Sequence, residues 1–203
     1  MARSRGMRQT GDASGMDFHR GGGFVPRRVF LTRGNAVHTE KLASFEGALR
    51  DAGISQFNLV SVSSILPPHC QVVPKSKGLG FLRPGEIVFC VLCKEQVDEP
   101  HRLVAASVGL AIPRDRSQYG YLSEYHGFGM QEKKAGDYAE DLAAEMLAQS
   151  LGVDFDPDSS WDQRREVWKI SDKIVRTANI TQTAVGDRRG RWTSVVTAAV
   201  FVP

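Results

Sequence analysis

Residues 132–151, EKKAGDYAEDLAAEMLAQSL, decide the fold class, because they are the one long segment with an uninterrupted helical period. Ala135, Tyr138, Ala139, Leu142, Ala143, Met146 and Leu147 recur at i, i+3, i+4 and i+7, and Gly152 supplies a left-handed stop. Such a helix has one apolar face and must lie on something. What surrounds it reads as strand. Upstream come EIVFCVLC (86–93), LVAASVGLAI (103–112) and Tyr119–Tyr125; downstream come Lys173–Val185 and Trp192–Val202. The loop through Pro157 is polar, and Gly186–Gly190 predicts a hairpin between the last two strands. A second amphipathic helix starts near Thr39, read as its N-cap, places Leu42, Phe45, Leu49 and Ala52 at helical spacing, and ends at Gly53. Val29–Leu31 is a short run able to enter a sheet. Strands outnumber helices, and the helices are long and one-faced. The class is α+β, with helices on the outer faces of mostly antiparallel sheets.

A chain of 203 residues with 41% hydrophobic and 24% charged residues is one globular domain with room for a real core. No apolar run is long enough to span a bilayer, so no membrane partner is expected. Three cysteines argue for a reducing compartment, which places the protein in the cytoplasm. The charge is uneven. Residues 1–28 hold six arginines against Asp12 and Asp17, a net of +4 beside the whole chain's +3, so the remainder carries −1. Residues 1–27, rich in Arg and Gly, read as a disordered basic tail. One Arg-Gly-Gly at 20–22 without aromatic interleaving is a weak nucleic-acid signal, outweighed by the reading of a solvated tail, so no nucleic-acid partner is expected.

Most chemical motifs fade on inspection. Cys90 and Cys93 form a CxxC, but in a strand their thiols point to opposite faces, and no second ligand pair accompanies them. His69-Cys70 lacks partners at metal spacing, so no metal centre is expected. His126 reads as a satisfied histidine. Gly78, Gly80 and Gly85 do not open a helix after a strand and make no phosphate loop. No convincing lysine site for pyridoxal phosphate is present.

Asn58–Pro68, NLVSVSSILPP, is different. Phe57–Ser64 reads as a strand, and it ends on a serine pair locked by two prolines. One reading is a strand exit whose hydroxyls satisfy loose backbone groups. The other is self-processing. The Ser64 hydroxyl attacks the Ser63 carbonyl, with an amide such as Asn58 stabilising the oxyanion. Elimination of the ester leaves dehydroalanine, which hydrolyses to a pyruvoyl group.

This segment resembles the cleavage site of the pyruvoyl-dependent arginine decarboxylases. So do FEGALRDAGI (45–54), VGLAIPRDRS (108–117) and SEYHG (123–127), in the same order, over Arg28 to the C-terminus. The resemblance implies a four-layer αββα sandwich. It implies cleavage of the 63–64 bond into a β chain, 1–63, and an α chain, 64–203, that begins with the pyruvoyl group from Ser64. It also implies a homotrimer of αβ protomers, or a dimer of such trimers, with the active site between neighbours. Asn58 matches the asparagine held beside the pyruvoyl group. Glu124 matches the glutamate that protonates the substrate carbon after CO₂ leaves, a role that needs a carboxyl kept protonated by burial. Glu46 stands where the family places an aspartate that pairs with the substrate guanidinium. It is one methylene longer, and it also reads as an ordinary solvated helix carboxylate. The expected activity is L-arginine to agmatine and CO₂ through a Schiff base to the pyruvoyl carbonyl. Ornithine or lysine as substrate, or an uncleaved trimeric scaffold whose tail binds nucleic acid, are the alternative readings.

Overall fold

The computed structural model describes residues 24–153, 163 and 173–203. Most of the predicted tail and the loop through Pro157 therefore lie outside the described residues, as do Trp161 and Trp168, to which the sequence assigns no role. The elements run β1 (Arg28–His38), α1 (Lys41–Asp51), β2 (Asn58–Ser61), β3 (Ile65–Leu66), β4 (Gln71–Val72), α2 (Lys75–Leu79), β5 (Ile87–Val97), β6 (Leu103–Pro113), β7 (Gly120–Phe128), α3 (Glu132–Ser150), β8 (Ile174–Val185) and β9 (Trp192–Val202).

Two sheets stack face to face. One has the order β2-β5-β9-β1-β4, the other β3-β7-β6-β8. Among the described residues only β1/β4 and β2/β5 pair in parallel. Alternation along β9 shows how the layers are made. Val195, Ala199 and Phe201 face the second sheet, in a core shared with Val91, Val108, Leu110 and Leu122. Val196, Ala198, Val200 and Val202 face the other way, onto Ala48, Ala52 and Ile54 around α1. Helix α3 covers the outer face of the four-stranded sheet through Ala143, Ala144 and Leu147 on Ala111. The order α1, sheet, sheet, α3 is the expected α+β sandwich.

The expected faces are buried at Ala135, Ala139, Ala143 and Leu147 of α3 and at Ala52 beside α1, with Phe45 and Leu49 packed on the core, but the bulky Leu42 and Tyr138 stay outside. In α1, Ser44 and Ala48 are buried while Leu42 is 77% exposed. In α3, Gly136, Ala139, Ala143 and Ala144 are buried and Tyr138 is exposed. The reason is close approach over a glycine. A Cβ on Gly34 of β1 would lie 2.3 Å from the Ala48 carbonyl oxygen, and one on Gly109 of β6 would lie 2.1 Å from that of Ala139. Small residues let the helix backbone sit almost on the strand, and Ser44 then reaches Ser194 of β9 at 2.6 Å between hydroxyls.

Three local expectations are corrected. Thr39 is not the N-cap. Glu40 holds that position without a side-chain cap, and the His38 ring accepts its N–H at 3.0 Å. Gly186–Gly190 is not a hairpin turn, because β8 pairs with β6 while β9 pairs with β1 and β5. The chain crosses between sheets there, anchored where Gly186 exchanges backbone hydrogen bonds with His101 and Arg102. Finally, Phe57–Ser64 is not one strand. β2 stops at Ser61, and Ile65-Leu66 pairs with Tyr121 and Gly120 in the opposite sheet.

Candidate active site

That last correction places the Ser63–Ser64 bond. β2 is the edge strand of the five-stranded sheet and β3 the edge strand of the other. Residues 62–64 are a strap that spans the gap between the sheets at one open side of the sandwich. Its two ends are pinned. The Val62 N–H donates to the Cys90 carbonyl of β5 at 3.0 Å, and the Leu122 N–H of β7 donates to the Ser64 carbonyl at 2.7 Å. Between these ties the Ile65 N–H donates back to the Ser63 carbonyl at 3.0 Å, a three-residue γ-turn centred on Ser64. Ser64 is half-buried and Ser63 exposed. A cavity of about 380 Å³ opens beside Ser63, lined by Val62, Ile65, Pro67, Phe89, Phe201 and Phe24.

Glu124 lies two residues along β7 from Leu122. Since Leu122 faces the space between the sheets, so does Glu124. The adjacent Tyr125 carbonyl accepts a hydrogen bond from the Cys93 thiol of β5 at 3.0 Å, which puts this part of β7 across the gap from the strand that holds β2. Burial raises the Glu124 carboxyl above the ordinary range, opposed by His126 on the same face. His126 is a satisfied histidine, its Nδ1 2.9 Å from the Glu95 carboxylate of β5. Ser63, Ser64 and Glu124 are thus gathered at one open edge.

The other two residues stand further off. Asn58 begins β2, and its side-chain amide donates to the Gly85 carbonyl at 2.7 Å. Five residue steps of chain separate it from Ser63, at most on the order of 16 Å. Glu46 is on the exposed side of α1, beyond the five-stranded sheet, where it pairs with Arg50 at 2.8 Å. Within one chain neither is hydrogen-bonded to the serine pair.

The CxxC behaves as its strand position predicts. Cys90 joins the core under α1 and Cys93 the core between the sheets, and burial pushes both thiols, and that of Cys70, up to about 12. All three are free.

The pieces at this edge are a hydroxyl beside a tethered peptide carbonyl and a carboxyl biased toward its acid form. The profile of the family described as pyruvoyl-dependent arginine decarboxylase matches residues 28–203. This chain belongs to the pyruvoyl-dependent arginine decarboxylase family. Proteins named pyruvoyl-dependent arginine decarboxylase from Nitrosopumilus maritimus and Methanococcoides burtonii are each 53% identical over 178 residues, 88% of this chain and 97% and 99% of theirs. Pyruvoyl-dependent arginine decarboxylase 2 of Methanosarcina mazei is 54% identical over 178 residues, 88% of this chain and 97% of its own. Family membership covers the whole described sandwich, strap included. What sequence reading missed at the site is all backbone. The Leu122 and Ile65 N–H groups carry no residue signature, and only the pairing of β3 with β7 reveals them.

Proposed function

We propose that this protein decarboxylates L-arginine to agmatine and CO₂ with a pyruvoyl group made from its own Ser64. Cleavage of the 63–64 bond divides it into a β chain of residues 1–63 and an α chain of residues 64–203. The observation that carries the reading is the serine pair on a pinned inter-sheet strap beside Glu124, in a chain of this family. The residues at the strap fit the group. Ser64 sits at the gap with its carbonyl held by Leu122, and the open edge admits a small amino acid. A pyruvoyl group supplies a ketone that takes the substrate amine, with an electron-withdrawing carbonyl beside it.

The side chains then divide the work. Glu124, whose carboxyl burial raises above its ordinary range, hands a proton to the substrate α-carbon once CO₂ has left. Glu46 pairs with the substrate guanidinium. Its partner in the single chain is itself a guanidinium, that of Arg50, in an exposed pair of the kind that contributes little to stability. A substrate can therefore replace it at small cost. Asn58, anchored on Gly85, is fixed at the head of β2 as part of the assembled site.

Assembly as a homotrimer joins these parts, since Glu46 lies beyond the sheet from its own chain's Glu124. The free edge of β2 supports this. Val60, Val62 and Ile65 are exposed there, and Ile87 beside them is 60% exposed. A second copy is the occupant that would bury this apolar band. Three free, buried cysteines support a cytoplasmic setting. Among the described residues no helix is long and apolar enough to cross a membrane.

The test is to incubate purified protein separately with L-arginine, L-ornithine and L-lysine and to measure CO₂ and amine. Agmatine from arginine supports the reading. The longer Glu46 side chain makes ornithine and lysine the comparison that matters. Preference for either would move the substrate while keeping the chemistry.

A further inference from the structure

The strap sets a backbone donor, the Ile65 N–H, on the Ser63 carbonyl, the one that self-cleavage would attack. We propose that the Ile65 backbone N–H is the oxyanion donor for self-cleavage, held on the Ser63 carbonyl by the γ-turn and by the pairing of β3 with β7. This rests on the pyruvoyl reading above.

The argument is one of hydrogen-bond accounting. The Ile65 N–H is not spent on the β3/β7 ladder; it points back to the Ser63 oxygen at 3.0 Å. The tie to β7 is made instead by the Leu122 N–H on the Ser64 carbonyl. With Val62 also fixed to Cys90, the chain must turn within Ser63 and Ser64, and the tight turn delivers that N–H to the scissile carbonyl. Asn58, the side chain whose type suggests an oxyanion donor, has its amide on Gly85.

In the first stage of cleavage the Ser64 Oγ adds to the Ser63 carbonyl carbon, and negative charge develops on the oxygen that Ile65 faces. The C–N bond then breaks and the hydroxyl proton ends on the departing Ser64 nitrogen, giving an ester and a free amine. Atoms balance without any co-reactant. A donor in place before the reaction needs no reorganisation as charge appears, and one such donor is worth on the order of 10²–10³ in rate.

Ile65→Pro removes this N–H and costs no ladder hydrogen bond. Its rate of cleavage is followed by intact mass, with short hydroxylamine pulses to count the ester. A second variant replaces the 64–65 amide by an ester, removing the donor without the ring of proline; Ile65→Val keeps the donor. Variants are compared at matched folding, judged by circular dichroism and melting temperature, so that the backbone ester decides if the proline variant does not fold. The expected result is cleavage slowed about 100-fold in the donor-less variants, without ester accumulation, and parental cleavage in Ile65→Val. Parental cleavage in either folded donor-less variant would overturn the proposal. A parent chain that itself never cleaves would overturn the pyruvoyl reading and this proposal with it, so the two failures are told apart.

Discussion

Leu122 holds Ser64 across the edge of the sandwich: the β7 N–H donates to the Ser64 carbonyl at 2.7 Å. The same strand carries Glu124 two residues further on, so one rigid element positions both Ser64 and the carboxyl proposed to act with it. Register along a strand is a strong constraint, because a one-residue slip would turn Glu124 to the α3 side.

Glu124→Gln should therefore leave the fold intact and lower kcat at least 100-fold, the usual scale for loss of a general acid. Because burial raises the Glu124 carboxyl, the folded protein binds its proton more tightly than the unfolded chain. That group's contribution to stability falls as pH rises through the raised value. The glutamine variant should accordingly be no less stable than the parent at neutral pH, and slightly more so. Steady-state kinetics and thermal melts at two pH values check both statements.

His126 lowers the Glu124 carboxyl from the same face. Replacing it by Gln removes that lowering influence, so Glu124 should hold its proton to higher pH. The alkaline limb of the kcat profile should move upward in pH. A limb that stays in place or moves down would show that Glu124 does not set it.

Glu46→Gln should raise KM for arginine roughly 10- to 100-fold with a smaller change in kcat, as expected for loss of a charge-assisted hydrogen bond. Glu46→Asp keeps the charge and should retain most of the affinity. Comparing arginine with ornithine in both variants reads whether the carboxylate recognises a guanidinium.

Gly34→Ala and Gly109→Ala each place a methyl against a helix carbonyl, at 2.3 and 2.1 Å. Each should cost about 3 kcal/mol, because the obstacle is backbone and cannot swing aside. Chemical denaturation of each variant against the parent measures this.

Cleavage at 63–64 should not release the fragments. β1 belongs to the shorter chain and pairs with β9 of the longer from Arg28 with Val202 to His38 with Trp192. β2 likewise stays on β5. The two chains should co-elute on native gel filtration and separate only on denaturation.

Much of this was legible in the residues, and the exceptions share a cause. The long period of α3 and the apolar runs of β5, β6 and β9 are local signals, and the structure has them. The 186–190 connection and the break after Ser61 depend on which sheet the next strand joins, a non-local matter. A strand run into a serine pair looks the same whether it ends or crosses a gap. The helix faces follow their period at Ala139, Ala143 and Leu147, but Leu42 and Tyr138 stay exposed, because Gly34 and Gly109 draw the helix backbones in over small residues. Ser63, Ser64 and Glu124 lie at one open edge of the sandwich. Asn58 and Glu46 do not join them within one chain: Asn58 holds the Gly85 carbonyl at the head of β2, and Glu46 pairs with Arg50 on α1.

The central claim is that Ser64 becomes a cofactor, and the intact mass of the purified protein under denaturing conditions tests it most directly. The account predicts two chains, residues 1–63 and 64–203, the longer lacking a free amino terminus and reacting as a ketone with borohydride. A single chain of 203 residues, unchanged after prolonged incubation, would contradict it.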